Sequence, residues 1–248
     1  MPFLVGFFIA LAVGLTGVGA GSITAPILIL FFAISPAVSV GTALIFGAII
    51  KLVVAPMYLL RKQVDRRVMT LLCAGGIPGV FLGVYLIGAL NALHYERILF
   101  VLLGTTIAAT ALYSFYRTLQ KGKVSGGVDR HGWLPLIAAG IGTEVGFSSA
   151  GAGALGSLAL LNLTSLAPGE VVGTDMLFGL VVSLIGGGFN LTAGHYDSAL
   201  LWKLTAGGIV GVLMGANLAA VLPARALRAG LAVWLCLVGA QLAWKGLF

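Results

Sequence analysis

The chain has 248 residues, 60% hydrophobic and 8% charged, with mean hydropathy +1.12 and a net charge of +7. Soluble domains carry roughly 25% charged residues, so this composition excludes one and gives an integral membrane protein. The apolar runs are long and do not alternate strictly, which points to helices rather than a barrel. The positive-inside rule accounts for most of the basic excess, so no nucleic-acid partner is called for.

In chain order, residues 3–16 form a first apolar segment, A, read as a retained segment because no basic stretch precedes it. It ends at the break Gly17–Gly21, and segment B follows at 22–33, before Ser35-Pro36. Segments C, about 37–60, D, about 67–90, and E, about 96–117, are each long enough to cross a hydrocarbon core of about 30 Å. A polar linker covers 118–132, which leaves units at 1–117 and 133–248. Then come A′ 133–145, a second break at 149–153, B′ 154–166, C′ 169–192, D′ 197–221 and E′ 224–245.

The second series repeats the first. Gly17-Val-Gly-Ala-Gly21 answers Ser149-Ala-Gly-Ala-Gly153, Val40-Gly-Thr42 answers Val172-Gly-Thr174, and Ala74-Gly-Gly-Ile77 answers Ala206-Gly-Gly-Ile209. All three pairs lie 132 positions apart, and about 24 of the 77 positions in 14–90 are identical in 146–222. A duplicated apolar unit is a known way to build a transporter with its site between the halves.

A and B are each too short to span at about 1.5 Å per residue. They read as a hairpin that enters and returns to the same side, which is tolerated where protein or a water-filled cavity surrounds it. Each repeat then crosses an odd number of times, and the second is inverted. Ten basic residues fall on one side: Arg61, Lys62, Arg66, Arg67, Arg117, Lys121, Lys123, Arg130, Arg225 and Arg228. Only Arg97 and Lys245 fall on the other. That split makes the linker cytoplasmic and puts both termini outside. The expected fold is therefore an all-α membrane protein. It is a polytopic helical bundle of two inverted repeats, each a broken re-entrant-like hairpin plus three transmembrane helices. Parallel repeats of four spans are the alternative.

The series Gly14-Leu-Thr-Gly-Val-Gly-Ala-Gly-Ser-Ile-Thr-Ala-Pro26, then Ser35-Pro36 and Val40-Gly41-Thr42, resembles the amino-terminal signature of the TauE/SafE family of sulfite and sulfonate transporters. Gly146, Gly151-Ala-Gly153 and Val172-Gly-Thr-Asp175 resemble its second half, and Gln63-Val64-Asp65 and His195-Tyr196-Asp197 fit at matched places. The resemblance covers nearly the whole chain. It implies a bacterial inner-membrane permease for small, mostly sulfur-containing anions. The second copy departs from the first at Ser148-Ser149-Ala150, and at Leu158 where the first has Pro26.

The chemistry the residues offer is anion binding. A helix starting after a glycine break presents unpaired N–H groups and the positive end of its dipole, which binds anions without a fixed cation. Gly19, Gly21, Ser22, Ser148, Ser149, Gly151 and Gly153 are therefore candidate substrate contacts, with Thr24 as a further hydroxyl. Close packing of small residues is the competing reading. Thr42 and Thr174 line the same cavity or bond to their own helices.

Ionisable residues inside spans are expensive and suspect. Lys51, which replaces Ser183, is a candidate for charge compensation, although nine positions at about 100° each put it opposite Thr42. Glu144 and Asp175, the latter replacing Ala43, are candidates for carrying a coupled proton or for structural bonds. Lys203 reads as a snorkelling residue, and His195-Asp197 as a turn and helix cap. Cys73 and Cys236 make no metal spacing, and no cofactor or metal motif is present. The expected function is a secondary transporter moving a small anion by alternating access. An anion channel is an alternative class. So is an intramembrane enzyme using Ser148 or Ser149 with His131 or His195.

Overall fold

The computed structural model describes residues 1–17, 19–93, 95–119, 131–151, 153, 155–218 and 224–247, with the side chains of 117–119 and 224–228 excepted. Regular structure among them is helical throughout. The order is α1 (Pro2–Thr16), α2 (Ala20–Phe31), α3 (Pro36–Leu60), α4 (Arg66–Ala92), α5 (Glu96–Leu119), a short 3₁₀ turn at His131–Trp133, α6 (Leu134–Ser148), α7 (Leu155–Leu163), α8 (Pro168–Thr192), α9 (Ser198–Leu218) and α10 (Ala224–Leu247). Most of the expected linker 118–132 falls on 120–130, outside the described residues.

Six of these helices, α3, α4, α5, α8, α9 and α10, are long and apolar enough to cross a membrane. At 15 and 12 residues, α1 and α2 reach only about 22 and 18 Å, short of a core of about 30 Å. The outer surface carries large exposed apolar side chains such as Phe8, Leu82, Tyr85, Leu213 and Leu237. In water these would be costly; against lipid they are at home.

The duplication is structural as well as written in the sequence. Shifted by 132 residues, α1 has the bounds of α6, and α3 has the bounds of α8. The packing partners exchange accordingly. A Cβ on Gly6 or Gly14 would run into the backbone of α9, and one on Gly207, Gly211 or Gly215 into that of α1. Likewise Gly75, Gly79 and Gly83 of α4 press on Pro135, Ala139 and Thr143 of α6. Glycines every fourth residue let these backbones touch, which replaces the hydrophobic drive that lipid removes.

The paired residues also give helix directions. Both α1–α9 and α4–α6 contacts advance together along the chain, so these pairs are parallel. In α3–α8, Gly41 meets His195, Gly187 meets Ile45 and Lys51 meets Ser183, so that pair is antiparallel. The same holds for α5 and α10. Gly246 lies against Arg97, Gly104 against Gly239, and the Lys245 ammonium stands 5.1 Å from the centre of the Phe100 ring.

Boundaries at the breaks differ from the sequence expectation. Helix α2 begins at Ala20, inside the expected break 17–21, and α6 continues three residues past 145 to Ser148. In the second break, Gly151 (φ 88°) and Gly153 (φ 95°) both take positive φ ahead of α7. In the first repeat, Gly19 already has φ −58° and caps α2.

Candidate functional site

The two breaks open with the same turn. Gly17 (φ 70°, ψ 7°) and Ser149 (φ 61°, ψ 3°) are both left-handed, and each donates its N–H to the carbonyl four residues back, of Val13 or Val145. Glycine makes that conformation free of strain, whereas at Ser149 the packing must hold it. The breaks also touch one another. A Cβ on Gly21 would collide with the side chain and carbonyl of Ser149, so only glycine fits there.

Beside the breaks lie two cavities that share Val13, Gly17, Lys51 and Met176 as walls. The larger, about 350 Å³, runs among α1, α3, α8 and α9 and reaches Tyr58, Arg61 and Asn217. The smaller, about 20 Å³, is bounded by Gly17, Gly19, Gly153, Ser157 and Asp175 as well as Lys51. That is room for about one water-sized group.

Lys51 and Asp175 are both buried, at 6% and 2% exposure. Lys51 Nζ donates to the Gly179 carbonyl at 2.9 Å and to Ser183 Oγ at 2.9 Å. Ser183 is the residue 132 positions on from Lys51, so the two copies of this position meet each other between α3 and α8. The Asp175 carboxylate accepts from Ser157 Oγ through Oδ2 at 2.5 Å. The backbone of Gly153 and Ser157 approaches it, yet Oδ1 has no hydrogen-bond partner among the described residues. Lys51 and Asp175 lie close enough for each to feel the other's charge.

Of the residues expected at a site, Gly19, Gly153, Lys51 and Asp175 are brought to the small cavity. The others are not on either wall. Ser22 Oγ donates to the Gly19 carbonyl at 2.6 Å, and Gly21 faces Ser149. Ser148 Oγ lies 3.1 Å from the Glu144 carbonyl and 3.0 Å from its carboxylate, and it receives the Ala150 N–H at 3.1 Å. Glu144 packs over Gly151. The Ser149 hydroxyl is buried without a partner among the described residues.

Thr42 and Thr174 hold loops of the opposite repeat. Thr42 Oγ1 accepts the Asp197 N–H at 3.0 Å, and Thr174 Oγ1 accepts the Asp65 N–H at 3.1 Å. Each aspartate then caps the next helix, Asp65 on Val68 N at 2.8 Å and Asp197 on Leu200 N at 2.9 Å. Gly41 and Gly173 leave the room, since a Cβ on either would meet the His195 or Gln63 carbonyl.

Sequence reasoning missed Ser157 and gave Arg61 only a topological role. Ser157 stands where the first repeat has Ala25, a mismatch that could have paired it with the mismatch Asp175.

A family model described as sulfite exporter TauE/SafE matches residues 2–242. The chain belongs to the TauE/SafE family. Among its relatives, the probable membrane transporter protein YjnA of Bacillus subtilis (strain 168) is 30% identical over 226 residues, 87% of this chain and 88% of that one. Two others from the same strain are similar. The probable membrane transporter protein YunE is 23% identical, covering 94% and 93% of the two chains. The probable membrane transporter protein YtnM is 29% identical, covering 86% and 71%. No solved structure matches the chain. As a TauE/SafE member with six apolar helices of spanning length, the protein is a multi-pass membrane transporter.

Proposed function

We propose that the protein is a secondary transporter of small oxyanions or organosulfur anions, sulfite and sulfonates foremost, in a bacterial plasma membrane. The anion sits where the paired breaks meet Lys51. The observation that carries this reading is the buried Lys51 ammonium at the joint wall of both cavities, beside Gly17 and Gly19. An ammonium and the exposed N–H groups of a helix start add positive potential at one point of a low-dielectric interior. Arg61 stands on the wall of the larger cavity, so that path is cationic at both ends.

The helix directions support inverted repeats. With α3 antiparallel to α8, and α5 to α10, opposite ends of the two halves share each face, and Arg97 and Lys245 come to one end together. The α1–α2 and α6–α7 hairpins then enter from opposite faces and meet near the middle. The larger cavity reaches the site from the face carrying Arg61. Rocking one half against the other would exchange the open face, which is alternating access.

Counterflow in proteoliposomes tests the reading. Vesicles loaded with unlabelled sulfite, taurine, thiosulfate or sulfoacetate should accumulate the labelled anion from outside when folded protein is present. Absence of exchange for every one of these anions would sink it, and steady ohmic current without exchange would make the protein a channel.

A further inference from the structure

Asp175 is a buried carboxylate with one of its two oxygens unpaired. It is 2% exposed; Ser157 Oγ donates to Oδ2 and the backbone of Gly153 and Ser157 lies close, while Oδ1 accepts no hydrogen bond from the described residues. Burying an ionised carboxylate without full pairing is expensive. The compensation available is the Lys51 charge together with the start of α7, whose Gly156 is so close that a Cβ there would strike Oδ1. A carboxylate at a helix start sits in the seat that an anion would take. The first repeat has Ala43 and Ala25 where the second has Asp175 and Ser157, so its break holds no such group.

We propose that the Asp175 carboxylate is a built-in anion that competes with the transported one, and that it takes up one proton as the substrate anion enters. The inference rests on the anion-transport reading above. With the seat held by ionised Asp175, Lys51 and Asp175 sum to zero charge. A monovalent anion entering beside an ionised Asp175 would leave one uncompensated negative charge in the interior. Protonation removes it: the proton bonds to a carboxylate oxygen, Lys51 keeps its ammonium, and the anion becomes the only negative group. The sum is again zero, so one proton and one anion travel together.

Among the groups facing the cavity, Asp175 is the one whose neutral form admits the anion, while Lys51 must stay charged to hold it. From α3 the cavity receives Lys51, and from α7 only the Ser157 hydroxyl; the described residues of the first break present no titratable side chain. Glu144 of α6 lies against Ser148 and Gly151. The Asp65 carboxylate is spent capping α4, and Arg66 and Arg67 beside it are exposed.

The test uses methanesulfonate, a monoanion with no titration of its own in the working range. Its binding to the purified wild-type protein should tighten as pH falls, approaching about tenfold per pH unit for one linked proton. Asp175→Asn should bind at least as well near neutral pH, where Lys51 stays charged, and lose that slope from there down. Ser157→Ala, a milder change, should keep the slope with a displaced midpoint, and Glu144→Gln should keep it unchanged. In vesicles holding a pH-sensitive dye, a methanesulfonate gradient should carry protons with wild type and not with Asp175→Asn. Binding with no pH slope in wild type, a slope kept in Asp175→Asn, or driving by a sodium gradient instead would overturn the proton role and leave transport standing. Failure of wild type to bind methanesulfonate at any pH would overturn the anion seat itself.

Discussion

Lys51 and Asp175 are the charged side chains that the described core encloses, and they differ in what holds them. Lys51 has two strong acceptors, the Gly179 carbonyl and Ser183, both on α8. A hydrogen bond to a charged group contributes about 1.5–3 kcal/mol. Lys51→Gln keeps donors for those two acceptors and removes the charge. Anion counterflow by Lys51→Gln should therefore fall roughly ten- to a hundredfold while the protein still elutes as wild type. Unchanged exchange would remove Lys51 from the site. That Lys51 turns away from Thr42 follows from about 100° per residue along a helix. That it meets Ser183 does not follow, because contact between two copies of one position depends on where the two halves cross. The partners of Thr42 and Thr174 likewise come from the other half, which spacing along one helix does not reveal.

At the scale of elements, the repeat was legible because glycine spacing records backbone contact. Gly75-x-x-x-Gly79-x-x-x-Gly83 and Gly207-x-x-x-Gly211-x-x-x-Gly215 sit at matched positions and do matched work against α6 and α1. Helix lengths were legible from hydropathy. The ends of the breaks were not, because a single left-handed residue decides them and Ser149 is not a residue that announces positive φ. The element directions make a prediction that separates inverted from parallel repeats. Lys62 and Ala193 follow matched helices, α3 and α8, and both are exposed. With Cys73 and Cys236 replaced by alanine, a thiol reagent that cannot cross the bilayer should label Lys62→Cys only from the cytoplasmic face and Ala193→Cys only from outside. Labelling of both from one face would mean parallel repeats.

Across the whole molecule, a duplicated chain has been folded so that each half completes the other. α1 lies along α9 and α6 along α4, while α3 and α8 cross where Lys51 bonds Ser183. The matched residues make the frame, and the unmatched ones, Lys51, Ser157 and Asp175, gather at one small cavity beside the breaks. That gathering makes the central claim local enough to see. Selenite, a sulfite analogue with a strong anomalous signal, should appear in soaked crystals as a single peak against Lys51 and Gly17, on the wall that the two cavities share. A peak elsewhere in the bundle, or no peak from protein that exchanges sulfite in vesicles, would contradict the account.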